Sequence, residues 1–227
     1  MDFVAVDVAN DADGREKLLA LGVRNVPVVA RGGKFIFAQN IKDVAEFVGL
    51  KAADLDALPP HVLIGRWVNV LRAVQRYLRQ IPDARLEERV IDNRDRSIRS
   101  LGHHVFRIGE AFLETVIDGA EYSLAAINAP PADGKFTSGS EIASYGDPII
   151  LRLQQWWDGV TDRTCPETTR TYYGPQSVHM LLERSTWHSA QHGRQLMAVL
   201  ERFCIEPEGR LTAQDLAGLP LPQGLWE

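Results

Sequence analysis

The sequence predicts an α+β protein in two parts: a β-α-β-β-α segment over about the first 50 residues, then an all-α four-helix bundle. Three observations predict it. Strand-like and helix-like runs alternate as far as Val48 and no further. The stretch Leu58-Pro59-Pro60 is a stiff hinge, because proline disfavours helix in the residue before it. Beyond it, apolar residues recur at spacings of three and four, the period of one helix face.

Phe3 to Val8 crowds apolar and β-branched residues together and reads as a strand. Asp11 to Gly22 reads as a short helix, with Asp11 or Asp13 as cap and Gly22 as stop. Val26 to Ala30 is a second strand, Arg31-Gly32-Gly33-Lys34 a turn, and Phe35 to Phe37 its antiparallel return. Asn40 to Val48 closes the segment as a helix. Residues 51–60 form the linker, and 61–227 the bundle with its tail. The first bundle helix spans His61 to about Gln80, with Val62, Trp67, Val70, Leu71, Val74 and Leu78 on roughly one face. The second spans about Ser97 to Asp118, with Ile98, Leu101, Val105, Ile108 and Phe112 in its stripe. Residues 119–146 read as an irregular connection, of the length that usually covers something or carries function. Asp147-Pro148 looks like an N-cap and first helical proline, opening the third helix as far as Asp158. Gly174-Pro175 opens the fourth by the same logic, and it continues to about Cys204. The Pro- and Leu-rich tail from Leu211 to Trp226 packs as extended chain.

The chain has 227 residues, 45% hydrophobic and 24% charged, a composition that builds a core and excludes wholesale disorder. Its net charge of −5 and lack of a Lys/Arg tract make it a poor nucleic-acid binder. No apolar run has the length of a membrane span, and the start lacks signal-peptide character. Cys165 and Cys204 are too few for a disulfide framework, so a reduced, cytoplasmic setting is expected.

The most specific motif is Trp187-His188-Ser189-Ala190-Gln191-His192-Gly193-Arg194-Gln195-Leu196. His188 and His192 lie one helical turn apart on one face, a spacing that lets two imidazoles hold one ion. A solvated surface pair would show the same spacing. His104 lies about 80° from the centre of the second helix's apolar stripe and turns toward the interior, whereas His103 points nearly opposite, to the surface or an outer shell. Three histidines on two helices leave a coordination position open, as catalytic rather than structural metals do. Imidazole nitrogen suits zinc, nickel and iron alike.

Two resemblances accompany these motifs. Leu101-Gly102-His103-His104-Val105, followed by the H-x-x-x-H-x-x-Q-L of His188 to Leu196, resembles the DinB-like metal-binding four-helix family over about residues 61–204. That resemblance implies His104, His188 and His192 as ligands of a divalent transition metal, zinc or nickel foremost. It also implies an enzyme using a low-molecular-weight thiol, a transferase or isomerase. Arg24-Asn25-Val26-Pro27-Val28-Val29, the Gly32-Gly33 turn and the helix from Asn40 resemble the C-terminal part of the glutaredoxin family. The segment 1–50 lacks that family's C-x-x-C half, and no cysteine occurs in residues 1–164, so disulfide chemistry cannot reside there. Together the two point to glutathione as cosubstrate, with Arg184 and Arg194 as candidate contacts for its carboxylates. Two rival readings are a hydrolase acting through a metal-activated water and a non-enzymatic, metal-stabilised binding or scaffold protein.

His179 reads as a surface or interface residue and His61 as solvated. Cys165 reads as an exposed loop thiol and Cys204 as a buried small hydrophobe. The expected partners are a small-molecule substrate and a second copy of the chain. The homodimer is expected from the thin sheet around Phe3–Val8 and from Trp156, Trp157, Leu225 and Trp226 as surplus aromatic and apolar surface.

Overall fold

Asp11 caps α1 (Ala12–Ala20), its carboxylate accepting from the Gly14 amide, and the helix gives way at Gly22, where φ is +75°. The computed structural model describes residues 3–8, 10–50, 56–89, 96–132 and 134–226. Its chain divides into two units, Met1–Asp56 and Ala57–Glu227. Of the expected linker, residues 51–55 lie outside the described residues.

In the first unit, β1 (Val28–Arg31) pairs antiparallel with β2 (Lys34–Phe37), Val28 facing Phe37 and Arg31 facing Lys34. Gly32 and Gly33 form the two-residue turn with φ of +56° and +76°, the geometry that matches the twist of a hairpin. The Val26–Pro27 peptide bond is cis. Asn40 caps α2 (Ile41–Val48), and Gly49 ends it in the left-handed region. The expected Phe3–Val8 strand does not form. Among the described residues it pairs with neither strand of the hairpin, and Phe3 and Val4 are 85% and 87% exposed. Apolar, β-branched composition favours a strand only when a neighbouring edge accepts its backbone, and among the described residues neither hairpin strand does. The order is therefore α-β-β-α.

The second unit is mixed helix and sheet, dominated by four long helices: α3 (Pro60–Gln80), α4 (Ile98–Asp118), α6 (Gly139–Gly159) and α7 (Val178–Arg202). One-turn helices α5 (Leu124–Ile127) and α8 (Ala213–Leu216) and the hairpin of β3 (Thr168–Thr171) and β4 (Gly174–Ser177) complete it. Helices α3 and α4 each pack on both α6 and α7. Trp67, Tyr77, Phe106 and Phe112 are fully buried at the centre, with the Trp67 ring edge-on to Phe112 at 5.1 Å. The Trp67 indole N–H also donates to Ser189 Oγ at 2.9 Å, which fixes the rotation of α7 against α3.

Three expected boundaries shift. Helix α6 begins at Gly139, well before Asp147-Pro148. Ser138 and Glu141 make a reciprocal capping box there, and Pro148 lies inside the helix. Gln75 of α3 supports the helix around that proline by donating to Ala143 O and Asp147 Oδ1, both at 2.7 Å. Gly174-Pro175 belongs to a hairpin strand, so the second unit is not all-α; Ser177 caps α7 instead. The tail is not wholly extended, because Thr212 and Asp215 cap α8.

Side chains also move from their expected places. Trp156 packs edge-on to Phe112 at 4.9 Å, Trp157 lies under the Arg163 guanidinium, and Trp226 lies under that of Arg202. These tryptophans thus pack within one chain, which removes one motive for a dimer. Cys165 is buried: its loop folds back so that its amide donates to Asp162 O and its carbonyl accepts from the His179 amide. Cys204 is exposed, because it occupies the left-handed turn just past α7 with φ of +56°. No helix among the described residues is long and apolar enough to cross a membrane.

Candidate metal centre

Helix α4 is enclosed on two sides, and this decides where its two histidines go. Residues 101–106 are all buried, with α6 against one face and α7 against another. His103 is therefore not a surface residue. It is 4% exposed, stacked on Tyr145 at 5.2 Å and tilted against Phe136 at 5.7 Å. His104 takes the other direction and meets α7. Its ring centroid lies 5.2 Å from that of His188 and 5.0 Å from that of His192, and the last two are 4.9 Å apart. One nitrogen from each ring falls within 4.8 Å of the others.

The surroundings of each ring decide which nitrogen has a lone pair to give. The stretch just after α4, residues 119–132, supplies the partner for His104. Ser123 caps α5, and the last carbonyls of this short helix accept from side chains of α4. The Ile127 carbonyl lies 2.7 Å from His104 Nδ1 and accepts its proton, while the Ala126 carbonyl accepts from Arg107 Nε at 2.7 Å. The proton of a neutral His104 thus sits on Nδ1, and Nε2 has the lone pair. His192 follows the same pattern through Gln195, whose Oε1 lies 2.7 Å from His192 Nδ1. The orientation of that amide is set in turn by the tail, because Gln195 Nε2 donates to Leu225 O at 2.8 Å. A carbonyl oxygen on the far nitrogen is the usual way a protein fixes the tautomer of a metal-binding histidine.

His188 differs. Arg184, one turn earlier, donates from Nη1 to His188 Nδ1 at 3.1 Å and from Nη2 to the Tyr172 hydroxyl at 2.8 Å. The β3–β4 hairpin delivers Tyr172. It is tethered to the loop after α4 by a parallel bridge between Tyr122 and Thr171. Arg184 is 6% exposed, with the rings of Tyr122, Tyr172, Tyr173 and Trp187 all within 6.0 Å of its guanidinium carbon. His188 is the least buried residue of the three.

Burial is the first reason that His104 and His188 stay neutral. It pushes both well below the ordinary histidine value, and His192 and Arg96 lower His104 further, as Arg184 and the other two rings lower His188. Burial and then Lys135 push His103 down to about 4. Three depressed histidines have a consequence for stability. Above pH 6.5 they are neutral folded or unfolded; below it the unfolded chain gains protons that the fold refuses. Metal-free protein should therefore lose stability as pH falls from about 6.5 toward 4, with His103 alone contributing roughly 3 kcal/mol over that range. Thermal midpoints in chelator across this range check it; a midpoint unchanged from pH 7 to 5 contradicts it.

The donor set suits a borderline divalent ion. Three neutral imidazoles provide no carboxylate for calcium or magnesium and suit zinc, nickel or iron alike. Two nitrogens on one zinc stand about 3.3 Å apart at Zn–N distances of about 2.0–2.1 Å, so small side-chain rotations would close the triad. The other sequence candidates do not join it. Arg194 donates to Gln191 Oε1 at 2.7 Å and to Pro222 O at 3.0 Å; two residues beyond His192, it faces the tail. The His179 ring contacts Leu58 O at 2.8 Å. The residues that sequence reasoning passed over are Gln195 as an orienting group and the Ile127 carbonyl. Gln195→Leu should weaken zinc binding about 10–100-fold, the usual effect of losing such a partner, read by chelator competition. Unchanged affinity would show that the tail–Gln195–His192 chain does not orient the ligand. Comparison of the sequence with protein-family models and with curated proteins finds no match.

Proposed function

We propose that this chain is a divalent-metal-dependent enzyme that activates a small thiol, with His104, His188 and His192 holding the ion. The observation that carries the reading is the convergence of three imidazole nitrogens, two of them with the far nitrogen tied to a carbonyl oxygen. An ion held by three side chains would act as a Lewis acid on a ligand in its open position, lowering that ligand's pKa. The chain's own residues do the rest. Ile127 and Gln195 fix two ring orientations, and Arg184 provides a cation beside His188, the least buried of the three.

The resemblance of the histidine motifs to the DinB-like class supports a transferase or isomerase, with the four long helices as its bundle. The glutaredoxin-like run Arg24–Val29 adds glutathione as the thiol. Arg184 is the remaining candidate for a glutathione carboxylate, since Arg194 is committed to the tail.

The test is turnover of glutathione with an electrophilic aryl halide by zinc- or nickel-loaded protein. Loss of free thiol that needs both metal and His188 is expected. Metal-dependent ester hydrolysis indifferent to glutathione would move the assignment to a hydrolase. Absence of both activities would leave a binding protein.

A further inference from the structure

The hydrogen bond between Arg184 and His188 conflicts with metal binding by that same ring. A guanidinium can only donate, so His188 Nδ1 accepts, and the proton of the neutral ring sits on Nε2. A ligand nitrogen needs its lone pair. If the ion takes Nε2, the proton must move to Nδ1, where it would face the Arg184 donor. If the ion takes Nδ1, the guanidinium must leave outright. Either way the Arg184 contact seen here and a metal on His188 exclude each other.

Arg184 has little room to retreat. It is buried, with four aromatic rings around it and the Tyr172 hydroxyl on its other nitrogen. A cation displaced from His188 stays beside the incoming dication, where burial strengthens the repulsion. A carboxylate relieves both costs, because it can ligate the ion's open position and accept from the guanidinium.

We infer that Arg184 competes with the metal for His188, so that the ion and a small carboxylate ligand bind this site together, each strengthening the other. The inference rests on the metal reading and adds to it an internal competitor and the class of the second ligand. It makes Arg184 a positioning residue for metal loading. By linkage, the factor by which carboxylate raises metal affinity equals the factor by which metal raises carboxylate affinity.

Zinc affinity by chelator competition tests this in full-length wild-type, Arg184→Met and Arg184→Lys proteins, with acetate or with chloride at matched ionic strength, corrected for zinc–acetate association. Without acetate, Arg184→Met should bind zinc about tenfold more tightly than wild type, and Arg184→Lys should stay near wild type. Acetate should raise wild-type affinity about tenfold and leave Arg184→Met unchanged. A purely structural arginine would give the opposite sign, weaker binding in Arg184→Met, and that result overturns the proposal. So does a wild-type affinity indifferent to acetate. If Arg184→Met fails to fold, nitrogen-15 spectra of the wild-type histidine rings decide: the metal-free His188 should be the Nε2–H tautomer, and an Nδ1–H tautomer overturns the proposal. Stoichiometric zinc that depends on His104 and His192 but ignores Arg184 sinks this inference alone; failure of wild type to bind zinc sinks the metal reading with it.

Discussion

Alanine at any one of His104, His188 or His192 is expected to take bound zinc or nickel from one equivalent per chain to none after dialysis. Each ring supplies one of three donors, and two imidazoles without a third lack the convergence that makes the site. Losing a residue that only orients a ligand costs about 10–100-fold in affinity, so losing the ligand itself should cost more than about 100-fold. The informative control is the neighbouring histidine. His103 packs between Phe136 and Tyr145, on the other side of α4, so His103→Phe should keep the full equivalent. Elemental analysis with circular dichroism on each variant reads the outcome. Retention of metal by His104→Ala together with its loss in His103→Phe would mean that the site is built from the wrong face of α4.

The second large effect concerns the scaffold. Gly139, the first residue of α6, lies against the Leu78 carbonyl of α3, and a side-chain carbon added there would be driven into that backbone oxygen. Backbone cannot rotate away as a side chain can, so α6 must shift bodily. Gly139→Ala should cost about 3 kcal/mol, lowering the thermal midpoint by roughly 10 °C in a domain of this size. Gly65, within α3, has open space where a side-chain carbon would stand, with nothing within 4 Å. Gly65→Ala should instead stabilise by up to about 1 kcal/mol through helix propensity. Calorimetry of the two variants reads the difference. Equal midpoints would show that α3 and α6 do not meet at Gly139.

The helix faces were legible in the sequence because burial there follows the 3.6-residue period. The predicted stripe of Ile98, Leu101, Val105, Ile108 and Phe112 is buried throughout. The same period turned His104 inward, the motif resemblance joined it to His188 and His192, and the structure brings these rings together. It failed for His103, because a single stripe assumes one buried face and α4 has two. Pro148 misled the reading of α6, since a proline after an aspartate marks a helix start equally well. The competing signal, Ser138 with Glu141 three residues later, was present and is the one the backbone uses. The β3–β4 hairpin was hidden by brevity: Thr168 to Thr171 is β-branched but only four residues long. Phe3–Val8 shows the converse, a strand-like sequence that joins neither sheet of the described residues. The Ile127 carbonyl could not be found at all, because any residue offers a carbonyl and only the fold aims it.

X-ray absorption on zinc-loaded wild-type protein tests the metal centre most directly. One zinc per chain is expected, with three imidazole nitrogens at about 2.0–2.1 Å and one further light-atom ligand in the open position. A first shell containing sulfur from Cys165 or Cys204, fewer than three imidazoles, or substoichiometric zinc that survives loss of His188 would contradict it.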